Sequence, residues 1–321
     1  MIKQKIKFLQ ENIQRFNRNI KKHAGGRFIY CWFTLIWCAL RFGSSFDDYF
    51  RYEFYKKNDF ERNKFITYYR SRKLISNYND SNYTKYFHDK GLFYSYFNKY
   101  IKRDWIDLRD CNKNDFEKFI AKHKNFIVKP ATGSKGEGIV EYSYNATNSI
   151  ESVLKKYPNH VAEEKIAQHD LMKSFNPSSV NTIRIMTFLK GEDVIILGCN
   201  FRCGSDISFT DSFSAGGMVG SIDITSGLVF VPCINKEYER FLYHPSSNAQ
   251  LIGFKIPHWD AVVSKIESAA KLIPQVRYLG WDMAIVKDGV EIIEANHDPA
   301  HRTIQMADLV GKYDILKNYM D

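Results

Sequence analysis

Paired cysteines are missing from this chain. Its six cysteines stand singly at 31, 38, 111, 199, 203 and 233, and none forms a C-x-x-C pair. Cys199 and Cys203 are four apart, but no second pair and no nearby histidine completes a zinc set, so reduced thiols of a cytoplasmic protein are the reading that remains. A secretory leader is not expected either: the basic start runs into polar sequence, and no small-residue cleavage site follows the first apolar run. That run, FIYCWFTLIWCAL from Phe28 to Leu40, is thirteen residues long and ends at Arg41. Spanning a bilayer takes about twenty, so a buried or interfacial helix is expected. Internal repeats and low-complexity segments are lacking, and the glycine spacings fit neither a Walker loop nor a Rossmann fingerprint. Basic charge is lacking over most of the chain. Residues 1 to 78 hold 17 Lys and Arg against 6 Asp and Glu, whereas the other 243 residues hold 29 against 30. A nucleic-acid enzyme needs its basic surface around the active site, and the near-neutral remainder argues against nucleic acid as a partner.

What is present is a chain of 321 residues, 44% hydrophobic, long enough for a sizeable core and about two domains. At the N-terminus Ile2, Ile6, Leu9, Ile13, Phe16 and Ile20 recur at spacings of four and three, which predicts an amphipathic helix with a strongly basic opposite face. Three roles suit it: packing on its own body, pairing with a second copy in a homo-oligomer, or lying on an anionic membrane surface. Residues 1 to 43 therefore read as a helical extension. Residues 44 to 125 read as short helices dense in Tyr and Phe, and 126 to 321 as the body that carries the chemistry.

The most informative stretch is Tyr278 to Pro299. Two apolar runs, LGWDMAIV and VEIIEAN, flank Lys287-Asp288-Gly289, a hairpin signal. Asp282, Glu294 and Asn296 sit where these strands should be dry, and burying carboxylates costs several kcal/mol unless a cation or donor network compensates. Register decides whether they meet. A two-residue turn at Asp288-Gly289 would pair Asp282 with Ala295 and split the acids between faces. A three-residue loop from Lys287 to Gly289 pairs Asp282 with Glu294 directly and brings Asn296 to the same face. Three oxygen ligands forming an incomplete cage suit magnesium, which keeps waters and borrows phosphate oxygens. The alternative is a half-solvated hairpin with incidental acids.

Upstream, Phe126 to Pro130 reads as a buried strand ending in Lys129. It is followed by Ala131-Thr132-Gly133-Ser134-Lys135-Gly136-Glu137-Gly138, a glycine-rich loop whose N–H groups can cover phosphates. In the strand from Asn181 to Phe188, alternation sets Asn181, Ile183 and Ile185 opposite Thr182, Arg184 and Met186. Arg184 in that apolar setting calls for a phosphate, a carboxylate or a structural salt bridge. Gly204 to Gly220, with Asp211 and Ser214-Ala215-Gly216-Gly217, is a long loop able to close over a substrate.

In combination and order, these pieces resemble the ATP-grasp superfamily. Asp89-Lys90, EEKIAQH at 163 to 169, NTIRIMT at 181 to 187, SAGG at 214 to 217 and GWDMAI with EIIEANHDP look most like its sugar-transfer-associated family, over roughly residues 45 to 315. The resemblance implies an α+β fold whose two lobes hold ATP between them, with the helical N-terminal extension added. It implies that Lys90 and Lys129 contact phosphates under a flap from Ser134 to Gly138. Glu163, Glu164, Lys165 and Ile166 would form the hinge that meets adenine, with Gln168 or His169 approaching the ribose. Asp282, Glu294 and Asn296 would hold Mg2+, and Arg184 would steady the γ-phosphate or an acylphosphate. Asp211, Ser214, Gly216, Gly217, His297, Asp298 and His301 become candidates for substrate contacts. The implied activity is an ADP-forming ligase that activates a carboxylate as an acylphosphate and transfers it to an amine. Its expected substrates are a uronic acid or sugar and an amine donor, either ammonia or an amino acid, in surface (capsular) polysaccharide assembly. A sugar kinase on the same fold and a non-catalytic scaffold docked at the membrane are the rival readings.

Overall fold

The computed structural model describes residues 2–133, 136–145, 149–205, 211, 213 and 216–320, with side chains from residue 10 onward. It falls into two units: residues 1–77 with 300–321, and residues 78–299.

The first unit is helical. The seam expected at the N-terminus forms the helix Ile2–His23, whose Phe16 and Ile20 are buried. Phe16 packs on Trp32 with ring centroids 4.5 Å apart, and on Phe50 at 5.0 Å. Trp32 belongs to the helix Phe28–Phe42, the apolar run of the sequence extended by two residues. That helix stops at Gly43, which takes φ +65° and donates to Ala39 O, a left-handed cap suited to glycine. A capping box of Ser45 and Asp48 starts the next helix, Phe46–Arg51. The C-terminal residues close the unit: Gln305 accepts from Ile66 N and donates to Tyr52 Oη, and Arg302 Nε lies 2.7 Å from Asp48.

The second unit holds two antiparallel sheets. The smaller contains β1 (Trp105–Asp107), β2 (Asn125–Pro130), β3 (Val140–Ser143) and β4 (His160–Glu164), in the order β1-β4-β2-β3. Phe126 and Val128 of β2 bury one face against Phe116, Phe119 and Val153 from the helices beside it. The larger contains β5 (Thr182–Lys190), β6 (Asp193–Cys203), β7 (Met218–Ile222), β8 (Cys233–Ile234), β9 (Arg240–Phe241), β10 (Tyr278–Val286) and β11 (Gly289–Asn296). Its order is β11-β10-β5-β6-β7-β8-β9.

The central strands of the larger sheet have one dry face and one polar face. Ile183, Ile185, Cys199, Phe201, Trp281 and Met283 join the main core with Val262 and Ile266 of the helix Trp259–Ala269. Directly paired residues share a face. The opposite face therefore carries a continuous row across five strands: Glu294, Asp282, Arg184, Asn200 and Ser221.

The hairpin reaches the expected pairing by a different route. Val286 pairs with Gly289, so the turn is the two residues Lys287-Asp288 and not a three-residue loop. Unbroken, that register would set Asp282 opposite Ile293. A bulge restores the parity, since Met283 pairs with Ile292 but Asp282 with Glu294, leaving Ile293 as the extra residue.

Candidate functional site

Strand alternation fixes the site on the smaller sheet. Lys129 and Glu163 share a face of β2 and β4, opposite the aromatic core, and form a buried ion pair. Glu163 spends its other oxygen on Tyr94 Oη at 2.7 Å and Arg103 Nε at 3.0 Å. Burial opposes its charge, but Arg103 and Lys129 hold the carboxyl well below the usual range. The same carboxylate keeps Lys129 charged against its own burial. Glu163 therefore aims Lys129. Glu164 accepts from Asp104 N at 3.1 Å, and Lys165 reaches Glu141 at 2.6 Å.

Lys90 opens the helix Lys90–Tyr96, capped by Asp89, and its Nζ lies 3.2 Å from Gly133 O at the start of the glycine-rich loop. Its N–H bonds to Ala131 O, and the bridge between Asp89 and Thr132 fastens this helix to the end of β2. Burial lowers the Lys90 pKa, and Glu294 of the larger sheet opposes that shift most strongly, ahead of Glu163 and Asp89. In the loop itself Gly133, Gly136 and Gly138 all take positive φ, and a Cβ on Gly138 would meet Pro130 Cγ at 2.8 Å. Ser134 and Lys135 lie outside the described residues, as does Ser214.

On the larger sheet Asp282 is buried at 4% exposure and gripped by two arginines. Arg184 binds it through Nε and one Nη, the latter at 2.7 Å, and Arg202 Nη1 lies 3.0 Å away. Burial works to raise the Asp282 pKa, but the two guanidinium groups bring it below the ordinary carboxylate value. Glu294 and Asn296 are half-buried and bonded to each other at 3.3 Å. Asp211 belongs to the stretch Gly204 to Gly220 that is expected to close over a substrate. It accepts from Thr182 and from Arg202 at 2.8 Å, so its carboxylate anchors that loop to β5 and β6. Gly216, at φ +101°, accepts from Ser205 Oγ, and Gly217 lies between it and β7.

Other candidates are placed elsewhere. Gln168 spends its amide on Ser179 O, Asn176 O and Asn181, which secures the segment before β5. His169 caps the helix Asp170–Lys173 through Nδ1. These local bonds occupy the two side chains expected near a ribose. Asn79 bonds to His297 O at 2.8 Å, holding the chain after β11, and Asp298 is exposed. His301 belongs to the first unit, buried 3.4 Å from Asp48, and its structural partners there account for its burial.

Sequence reasoning missed Arg103, Tyr94, Glu291 and Arg202. Arg103 joins the two sheets: besides Glu163 it contacts Glu291 at 3.3 Å and Ile292 O at 3.1 Å on β11. Arg202 could have been found, because it stands in an apolar strand as Arg184 does. Asn200 is fully buried with neither end of its amide bonded to a described residue.

The model of the sugar-transfer associated ATP-grasp family matches residues 64–319 of this chain. The chain belongs to that family. No curated protein matches the chain. Among solved structures it resembles the L-amino acid ligase from Bacillus licheniformis at 14% identity and TM-score 0.40, covering 66% of this chain and 41% of that one. The ATP-grasp ligase PsnB, complexed with precursor peptide PsnA2 and AMPPNP, matches at 14% identity and TM-score 0.44, over 75% of this chain and 61% of that one. D-alanine-D-alanine ligase from Helicobacter pylori matches at 12% identity and TM-score 0.42, over 74% and 62%. The ATP-grasp chain described here thus spans between 41% and 62% of the length of these three.

Proposed function

We propose that this protein is an ADP-forming ligase that activates a carboxylate as an acylphosphate and passes it to an amine. The substrate we assign is a uronic-acid carboxyl to be amidated, or an amino acid to be joined to a sugar, in surface polysaccharide assembly on the cytoplasmic side. The observation that carries the reading is the balance of charge gathered on the polar face of the larger sheet and on the Lys129–Glu163 face of the smaller one. Lys129 pairs with Glu163, Arg184 and Arg202 with Asp282, and Arg202 with Asp211, while the charge of Glu294 acts on Lys90, four cations against four anions. A site balanced in this way accepts a polyphosphate together with a divalent cation without a large net charge.

The donor set fits magnesium. Asp282, Glu294 and Asn296 can each supply an oxygen, as a hard cation requires, and three such ligands fall short of a full shell, which would leave positions for water and phosphate. Asp282 would share its oxygens with the arginines that now grip it, or release one of them to the phosphates. Bound there with ATP, magnesium would supply charge neutralisation at the transferring phosphoryl group. Lys129, kept charged by Glu163, and Lys90 would hold the phosphates, while the backbone of Glu164 and Ile166 would meet adenine. Arg184 would steady the γ-phosphate as the substrate carboxylate attacks it. The amine then displaces phosphate from the acyl carbon, so no protein nucleophile is required.

Hydroxylamine tests this. Protein, magnesium and ATP are mixed with a panel of uronic acids and amino acids, and hydroxamate is sought by mass spectrometry. Hydroxamate formed with ADP and lost in Glu294→Gln supports an activated acyl group. A phosphorylated sugar without hydroxamate would make the protein a kinase and overturn the ligase reading.

A further inference from the structure

The helix Phe28–Phe42 is apolar on both sides, yet only one side is covered. Cys31, Leu35, Cys38 and Phe42 are buried in the first unit. Ile29 is 89% exposed, Phe33 71%, Ile36 55% and Leu40 82%. Their spacing of four, three and four places them in one stripe, flanked by Tyr30 and Trp37. An apolar stripe of this size facing solvent marks a contact surface.

Charge identifies what it contacts. The first 78 residues carry the chain's entire basic excess. Arg18, Lys21 and Lys22 of the preceding helix are exposed and form no ion pair with a described residue. At the two ends of the stripe Arg27 lies over the Tyr30 ring at 5.2 Å and Arg41 over Trp37 at 5.6 Å. A second copy would bring the same basic excess against itself, whereas an anionic lipid surface attracts it. The helix has 15 residues, about 22 Å, and cannot cross a hydrocarbon layer of about 30 Å. Aromatic residues flanking an apolar face, with arginines at its ends, suit the plane of a lipid headgroup layer.

We propose that the Ile29–Leu40 face seats the protein on an anionic membrane, lying flat in the headgroup layer and held by the surrounding bases. The face belongs to the first unit and shares no residue with the nucleotide site, so this docking stands or falls independently of the ligase reading. The full-length protein would be sedimented with phosphatidylcholine vesicles, with and without phosphatidylglycerol. Binding to the mixed vesicles alone, weakened by salt and at least about tenfold weaker in the double variant Phe33→Asp, Leu40→Asp, is the expected result. Both substitutions lie in solvent, and an unchanged circular-dichroism spectrum and melting temperature in the variant verify its fold. Three outcomes would overturn the proposal: no vesicle binding, binding indifferent to the double variant, or a dimer seen by sedimentation velocity that the double variant dissociates without any vesicle binding. The last would assign the face to a second copy.

Discussion

Replacing Arg103 with methionine tests whether the link between the two sheets is electrostatic. The guanidinium contacts Glu163 at 3.0 Å and Glu291 at 3.3 Å, with Ile292 O at 3.1 Å and the Tyr94 ring 4.9 Å away. Methionine fills much of the space but leaves two buried carboxylates without their shared cation. Removing one partner of a buried pair costs about 3–5 kcal/mol. Both acids keep other donors here: Glu163 retains Lys129 and Tyr94, and Glu291 retains the N–H groups of Lys102 and Arg103. The lower end, about 3 kcal/mol, is therefore expected. For a unit of this size each kcal/mol moves the melting temperature by about 2–4 °C, which gives a fall of about 6–12 °C. Thermal unfolding followed by circular dichroism reads it directly, and Arg103→Lys, with the charge but a shorter reach to fewer acceptors, should fall between. A methionine variant melting within about 2 °C of the parent would refute the reasoning, because the acids would then be compensated without Arg103.

Three further outcomes are expected. Glu294→Gln should cut magnesium-dependent ADP formation by about 100-fold while unfolding in denaturant shifts by less than about 1 kcal/mol, because the side chain is half-exposed; a large loss of stability would instead give Glu294 a structural role. Gly91→Ala should cost no more than about 1 kcal/mol, since its Cβ would push aside only the Asp107 carboxylate and the Arg109 guanidinium, the flexible ends of an ion pair next to Lys90; a loss above about 3 kcal/mol would contradict that packing. Burial holds the His301 pKa below its ordinary 6.5 despite Asp48, so the unfolded chain takes up the proton first, and stability present above pH 6.5 is lost as pH falls toward the folded value. Melting temperatures measured from pH 8 to pH 5 should decline below 6.5, and His301→Gln should flatten that part of the decline.

Local rules made much of the fold legible. The four-three spacing from Ile2 to Ile20 gave the first helix, and alternation in β5 put Arg184 opposite Ile183 and Ile185. The pairing of Asp282 with Glu294 was reachable because buried acids demand a common partner face. The bulge that achieves it was not, since one extra residue in a strand carries no compositional mark when it is an isoleucine among isoleucines. Arg103 was hidden for another reason: it sits in a short connection without periodicity, and the four residues its guanidinium bonds to, Glu163, Glu291, Ile292 and Ile293, lie 60 to 190 positions away. His301 followed the site motif in sequence but crosses into the other unit just after Pro299. Linear adjacency gave no warning of that change.

The first unit is assembled from both ends of the chain, and this sets an order on the ribosome. Gln305, which bonds to Ile66, lies 239 residues beyond it. At 5–20 residues per second, roughly 10 to 50 s pass between the synthesis of the two. During that interval the apolar helix Phe28–Phe42 has emerged, the second unit is being made, and the C-terminal residues that complete the first unit do not yet exist. The nascent chain therefore presents its most apolar helix to its surroundings early and finishes the unit around it last.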